Sequence, residues 1–333
     1  MKRKQYIILL ALLVGMVSVS QAEKFKKIAQ TGFQFMSVET DARAAALAGA
    51  MTTLDNGSGA LFHNPATMGY LGKKVDLALN YNRWIADIQH TSASIAFAPA
   101  QSKYGVFGFS WHYVDYGEIQ GALPWANNQG YIKTEMFHPS ALMFGAGYAK
   151  ALSSKFSIGT QFKYVGQQLG NSLVQLGETE DSLAVRKYKQ FGMAFDFGTL
   201  FKTGWKSLVF GMSVRNFSNE IQYEAESFQL PLTFSMGISM NVMDLFTRIS
   251  ENHRLLLSLD AVHPRSYPEY LDVGIEYSLR NLIHLRYGYL GNRDERSSTF
   301  GIGLQVANIQ FDYCYIPFGV FNETQNFTLR FGL

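Results

Sequence analysis

Side chains that could do chemistry are few and dispersed in this chain. No serine lies in a G-x-S-x-G segment and no two histidines form H-E-x-x-H, the spacings that expose a nucleophile on a turn or place two zinc ligands on one helix face. The single cysteine, Cys314, has no partner for an intrachain disulfide. The histidines stand far apart, at His63, His90, His112, His138, His253, His263 and His284. We therefore expect no catalytic residue, no metal site and no bound cofactor.

Charged side chains on the polar face of the predicted strands are the stronger chemical lead. Both signs occur, mostly in the last five strands. An ion-pair network that fills the interior is one interpretation, and a path for a substrate is the other. We predict the network, formed by Asp196, Asp260, Asp272, Glu276, Arg280, Arg286, Asp312 and Arg330.

The elements that carry these charges show a two-residue alternation of apolar and polar side chains. It runs from Val75 to Leu333, where Phe327, Leu329 and Phe331 share one face with Leu333. Successive side chains of a strand point to opposite faces, so each segment predicts a strand with one apolar and one polar side. A soluble sandwich would bury the apolar side, whereas a transmembrane barrel would turn it to lipid.

Composition and strand length favour the barrel. Charged residues make up 17% of the 333 residues, below the usual quarter, and aromatic residues reach 14%. A mean hydropathy of -0.03 without a long apolar run excludes a helical membrane protein but suits strands that alternate lipid-facing and interior residues. Several segments have the nine to eleven residues of a tilted bilayer crossing. A net charge of +3 without a basic cluster gives no sign of a nucleic-acid partner.

The alternation predicts an all-β fold, a transmembrane antiparallel barrel of about 14 strands spanning residues 73–333. Short connections alternate with long polar ones at 115–137, 166–187, 217–229, 291–297 and 317–323, as periplasmic turns alternate with extracellular loops. The connection Met243–Asn252 is longer than its neighbours, and we predict a short helix near Asp244. The even strand number places both chain termini on the periplasmic side.

The first 22 residues predict a signal peptide. Lys2, Arg3 and Lys4 precede an apolar run, as in a signal peptide. The alternative interpretation is a transmembrane anchor, but the run is shorter than the roughly 20 residues that a transmembrane helix needs. The small-x-small pattern at 20–22 predicts cleavage before Glu23. The protein is then exported, and the barrel prediction places it in the outer membrane of a Gram-negative-type bacterium.

Residues 23–72 do not alternate, and we predict that they form a partly helical plug in the barrel lumen. The stretch 41–50 is rich in helix formers, and a fourteen-strand barrel has an interior wide enough to need filling. Pro65 fixes its own φ and biases Asn64 away from helix. The predicted structural residues of this segment are Asp41, Arg43, Gly49, Asp55, Asn64, Pro65 and Ala66.

Two runs in this segment resemble the amino-terminal signature of the PorV/PorQ family, which is itself similar to FadL-type fatty-acid transporters. They are 41–50, with Asp-Ala-Arg-Ala-Ala at its start, and 61–66, Leu-Phe-His-Asn-Pro-Ala. Alanines at 46 and 48 and His63 depart from the family pattern. The resemblance implies a fourteen-strand outer-membrane barrel that serves type IX secretion without enzymatic activity.

The patterns together with this resemblance imply two function classes. The first is an interaction protein of a secretion system, whose partners are outer-membrane lipids and other secretion proteins. The second is a FadL-like channel for a hydrophobic small molecule, in which the plug moves. An outer-membrane phospholipase is a distant third, because it needs serine, histidine and a polar partner together at one rim. We predict the first.

Overall fold

The computed structural model describes residues 31–175, 183–223, 226–246, 252–293, 296–321 and 323–333. Within them, fourteen strands form a closed antiparallel barrel in which chain neighbours pair and the last strand pairs with the first. This confirms the predicted fold class. The wall strands are β1 (Val75–Arg83), β2 (Gln89–Phe97), β3 (Val106–Asp115), β6 (Ser140–Ala151), β7 (Phe156–Gln175), β8 (Leu183–Lys202), β9 (Val209–Phe217), β12 (Thr233–Asn241), β13 (His253–Pro264), β14 (Tyr270–Leu279), β15 (Ile283–Leu290), β16 (Ser298–Val306), β17 (Ile309–Pro317) and β18 (Glu323–Gly332).

The two faces of the wall are reversed relative to a soluble protein. In β1, Leu79 and Tyr81 point outward and are 44% and 39% exposed, while Asn80 and Asn82 point inward and are buried. Phe109 in β3 is 61% exposed on the same outer surface. A soluble sandwich would bury these apolar side chains, so the arrangement excludes it and suits an outer surface in contact with lipid.

The two ends of the barrel differ in the length of their connections. At one end, here called the short-turn end, most connections are tight, such as 152–155 and 307–308. The other, the long-loop end, carries two small hairpins, β4 (Ile119–Pro124) with β5 (Tyr131–Phe137), and β10 (Ile221–Tyr223) with β11 (Glu226–Phe228). The short helix predicted near Asp244 is the 3-10 helix Val242–Leu245 at the short-turn end.

The connection predicted at 166–187 is wrong for most of its length. Strand β7 continues to Gln175 and β8 begins at Leu183, and the two remain paired as far as Gln175 and Leu183. A register shift between Gln168 and Gly170 lets the ladder continue past the end of β6. The polar composition of this stretch indicated a loop, whereas the paired strands extend beyond the barrel wall as a hairpin.

The amino-terminal segment runs from the long-loop end to the short-turn end. At its start, Thr31 Oγ1 lies 2.9 Å from Ser266 Oγ, and the Gly32 amide donates to the carbonyl of Gln229. At its end, the Lys74 amide donates a hydrogen bond to the Leu333 carbonyl. Its described residues, 31–72, form one α-helix and three 3-10 helices: Ala42–Ala46, Gln34–Ser37, Gly57–Phe62 and Pro65–Tyr70.

Thr31 and Leu333 therefore lie at opposite ends of the barrel. The predicted signal peptide and the predicted amino terminus at residue 23 lie outside the described residues, so the common periplasmic position of both termini stays a prediction. None of the helices in the described part of the chain is long and apolar enough to cross a membrane.

Candidate functional site in the barrel lumen

The helix Ala42–Ala46 begins at Asp41, a buried carboxylate. Asp41 Oδ1 accepts a hydrogen bond from the Ala44 amide at 3.0 Å, as an N-cap residue does. Its Oδ2 accepts from Asn56 at 3.1 Å and from Arg330 of β18 at 3.0 Å. Burial by itself raises the pKa of Asp41, but the Arg330 charge and the hydrogen bonds outweigh it and lower that pKa below its usual value. Asp41 therefore holds the helix start to the wall as an anion.

Arg43 joins the same helix to β14. Its Nε and Nη2 atoms donate to the two oxygens of Glu276 at 2.8 and 3.0 Å, and Nη1 donates to the Asp55 carbonyl at 2.5 Å. Burial would lower the pKa of Arg43, yet the carboxylate of Glu276 outweighs burial and raises it. The two parallel bonds fix both the position and the rotation of the guanidinium.

The wall continues this contact as a chain of alternating charges. Arg286 of β15 lies 2.6 Å from Glu276 and 2.6 Å from Asp312 of β17. Glu276 and Arg286 are direct cross-strand partners, so the register of β14 and β15 brings them together. The four residues Arg43, Glu276, Arg286 and Asp312, here called the charge network, sum to zero. Their mutual pairing offsets the cost of burying each charge.

Three further predicted charges contact the amino-terminal segment, a connection or a neighbouring strand. Asp260 accepts from the Thr52 amide at 2.9 Å, so it faces the segment. Asp272 pairs with Arg293 at 3.2 Å. Asp196 pairs with Lys163 at 2.5 Å.

Arg280 is the one predicted lumen charge that the structure places elsewhere. The side chains of residues 272, 276 and 278 in β14 are buried at the inner face. If the alternation of the strand continued, the side chain of residue 280 would also point inward. The strand ends at Leu279, however, and Arg280 adopts φ 53° in the turn at 280–282, where its side chain is exposed. The prediction for Arg280 is therefore wrong because the turn interrupts the alternation.

Sequence reasoning missed several cations that bind other groups in the interior, among them Lys163, Arg215 and Arg293. Lys163 lies on the inner face of β7, so its strand parity could have identified it. Arg215 Nη1 of β9 donates to the Phe62 carbonyl at 2.8 Å. Arg293 lies in a connection, where no alternation places a side chain.

A second contact joins residues 64–66 to β7 and β8 without charges. Asn64 caps its own helix by accepting from the Ala66 amide at 3.0 Å, and Pro65 occupies the first helical position. The Asn64 amide group also donates to the Thr52 carbonyl at 2.7 Å and to the Thr199 carbonyl at 3.1 Å. Ser157 Oγ donates to the Ala66 carbonyl at 2.8 Å.

Glycines on the wall allow the backbone to come this close. A Cβ atom at Gly159 would lie 2.5 Å from the Ala66 nitrogen, a distance that real Cβ atoms do not show. Two further predicted residues have local roles. Asp55 accepts from the Gly57 amide at 3.0 Å in an Asx turn, and Gly49 follows the helix at φ +81°.

Histidines and a small cavity complete the polar interior. Nδ1 of His90 and Nε2 of His112 lie 3.0 Å apart, and His63 Nδ1 lies 3.6 Å from Glu39. No cluster of three metal-ligating side chains occurs in the part of the chain described above. The cavity has six polar and four apolar lining residues: Glu39, Thr40, His112, Lys163, Arg215, Asn216, Met36, Val38, Phe62 and Met143. Such a lining does not favour a hydrocarbon ligand.

These features define the class: an outer-membrane β-barrel whose inward-facing side chains bind the chain's own amino-terminal segment. Residues 121–326, more than half of the chain, match the family model described as type IX secretion system membrane protein PorP/SprF. The chain belongs to this family. The expectation of a type IX secretion family is thereby confirmed, but the PorV/PorQ assignment is not.

Solved structures with the same fold are barrels that are remote in sequence. The Ralstonia pickettii toluene transporter TbuX has 12% identity and a TM-score of 0.55, covering 88% of this chain and 98% of its own. The Pseudomonas putida toluene transporter TodX has 12% identity and a TM-score of 0.56, covering 88% and 96%. A Pseudomonas aeruginosa FadL homologue has 11% identity and a TM-score of 0.51, covering 88% and 98%. A search of curated proteins found no match.

Proposed function

We propose that this protein is a non-enzymatic component of type IX secretion that acts by binding partners, with its lumen closed by residues 31–72. The observation that carries the proposal is the PorP/SprF family match over 121–326. The contacts of Asp41, Arg43 and Asn64 with the wall support the closed lumen. A barrel that holds its own segment in this way presents surfaces rather than an open path.

The long-loop end offers the surface for a partner. The hairpin of β7 and β8 extends from Gln168, the last residue paired with β6, to Gln175, roughly 20 Å beyond the wall at about 3.3 Å per residue. The β4–β5 hairpin packs beside it, with Phe137 against Gly170. Strand hairpins of this kind are stiffer than irregular loops, so binding a partner costs less ordering entropy.

A FadL-like channel is the second candidate, because the solved structures with this fold include proteins named as toluene transporters. Transport would require residues 31–72 to move. That motion would separate Arg43 from Glu276, which leaves Arg43 without its carboxylate partner and Glu276 with Arg286 alone, and losing one partner of a buried ion pair is costly.

Deletion of the gene distinguishes the two candidates. We expect specific exported proteins to remain in the periplasm, measured by immunoblots of periplasmic and extracellular fractions, while growth on hydrophobic compounds is unchanged. Complementation should require the β7–β8 hairpin, and a barrel with 169–188 replaced by a short turn serves as the variant. Normal secretion together with impaired uptake of a hydrophobic compound would contradict the proposal and support the channel.

A further inference from the structure

Basic side chains collect at the short-turn end of the barrel. Lys103 lies in the β2–β3 turn, Lys150 at the end of β6, Lys155 in the β6–β7 turn and Lys206 in the β8–β9 turn. We call these four residues the lysine arc. They follow one another along neighbouring strands, because β3 pairs with β6, β6 with β7, β7 with β8 and β8 with β9. The arc therefore covers a continuous side of the rim.

Along the chain, these lysines are not interspersed with acidic residues. The spans 98–105, 149–156 and 201–208 contain no aspartate or glutamate. Lys103, Lys155 and Lys206 are exposed, and Lys150 is half-buried on the outward-facing side of β6. Because these turn segments carry lysines and no carboxylate of their own, with Asp55 of the amino-terminal segment acting on the neighbouring Lys202, the arc has an excess of positive charge that will attract an anion from outside.

The long-loop end differs, because cations and anions are mixed there. The β4–β5 hairpin carries Lys133 beside Glu135, and exposed Glu118 lies 3.0 Å from His138. Lys187 and Lys189 lie near the start of β8, at the same end of the barrel as these acidic residues. The excess of positive charge is thus a property of this side of the short-turn rim, from the β2–β3 turn to the β8–β9 turn, rather than of the whole surface.

Exposed aromatic and aliphatic side chains lie between the lysines. Tyr104 is 60% exposed and follows Lys103, whose Nζ lies 5.7 Å from the ring centroid. Leu152 is 56% exposed between Lys150 and Lys155, and Trp205 is 50% exposed beside Lys206. Tyrosine and tryptophan favour the level of the lipid headgroups, where one edge is wet and the other apolar. The lysines lie at that same level.

We propose that the lysine arc binds the headgroups of anionic phospholipids in the inner leaflet of the outer membrane. Short turns of bacterial barrels face the periplasm, so this rim lies in the phospholipid leaflet. A lysine near an anionic surface increases binding about fivefold. The outward direction of Lys150 and the interleaved aromatic residues favour a lipid over an acidic protein, which would approach the rim from below.

Trp205 provides a local probe for the test. The other three tryptophans, Trp84, Trp111 and Trp125, are replaced by Phe in the full-length protein, which is then reconstituted into phosphatidylcholine vesicles. A brominated lipid, either phosphatidylglycerol or phosphatidylcholine, is added at the same mole fraction, and quenching of Trp205 fluorescence reports which lipid lies beside the arc. We expect stronger quenching by brominated phosphatidylglycerol, and less of this preference in 0.5 M salt.

The lysine variant and its control each remove three positive charges, so they have the same net charge. Replacing Lys150, Lys155 and Lys206 by Gln should reduce the preference for phosphatidylglycerol about a hundredfold, at about fivefold for each lysine. The control, Lys133, Lys187 and Lys189 replaced by Gln, should retain it. Equal quenching by both lipids in the unmutated protein would overturn the proposal, as would a preference that the lysine variant retains. Binding of an acidic periplasmic protein to the arc without any lipid preference would also overturn it.

Discussion

Two of the contacts between the amino-terminal segment and the barrel wall differ in their chemistry. Around Asp41 and Arg43 the contact is ionic, with Arg330 and Glu276 as partners from the wall. Around Asn64 it is uncharged, and the segment lies against wall backbone at Gly159. Ion pairs hold the segment in one rotation and one register relative to the wall, and losing one partner costs much folding free energy. Close backbone packing instead requires that the two surfaces fit each other in shape. The two contacts together fix both ends of the stretch 41–66.

The charge network should be the most sensitive part of the lumen. Replacing Arg286 by Met leaves Glu276 and Asp312 buried without their shared cation, and we expect a loss of about 3–5 kcal/mol in the free energy of unfolding. The measurement is the midpoint of unfolding in urea, followed by the heat-modifiable migration of the folded barrel on gels.

Arg280→Met is the matched control for that variant. Arg280 is exposed in the turn at 280–282, so its replacement should change the free energy of unfolding by less than about 0.5 kcal/mol. Equal losses in the two variants would show that the charge network does not stabilise the barrel.

The uncharged contact should respond to a single added methyl group. Gly159→Ala places a Cβ against the backbone of Pro65 and Ala66, which side-chain rotation is unable to relieve. We expect a loss of about 1–3 kcal/mol, because overpacking displaces the segment or the wall. Gly72→Ala is the control, since a Cβ there meets nothing within 4 Å. If both variants unfold at the same urea concentration, the close contact at Gly159 is not present in the membrane.

A smaller effect should follow the charge of Asp41. Its pKa is lower in the folded protein than the ordinary 3.8, so its carboxylate stabilises the fold above about pH 4. That contribution is lost as the pH falls through the folded pKa, because the folded state must then accept a proton it binds poorly. Asp41→Asn keeps a side chain that is able to cap the helix but removes the charge that pairs with Arg330, and should cost about 1–2 kcal/mol at pH 7. The difference from the unmutated protein should shrink toward pH 3, and a difference that is constant with pH would contradict the ionic role.

The wall could be predicted from the sequence because alternation is a local signal. The strand at 75–83 and its inner asparagines follow directly from parity. Parity fails where a strand ends, as at Arg280, and polar composition misled at 166–187, where pairing continues above the barrel. Which charges pair depends on register between strands, so Glu276 with Arg286 was not readable from either strand alone. The path of residues 31–72 through the lumen could not be predicted from the sequence, because that segment has no regular alternation of apolar and polar residues.

Thiol labelling tests most directly whether residues 31–72 fill the lumen. In a Cys314→Ala background, single cysteines replace Ala45 or Ala66, both buried, or Asn128, which is exposed in the β4–β5 hairpin. Intact cells are treated with a membrane-impermeant maleimide, and labelling is compared with that after denaturation. We predict strong labelling at position 128 and almost none at 45 and 66. Equal labelling at all three positions would contradict the account.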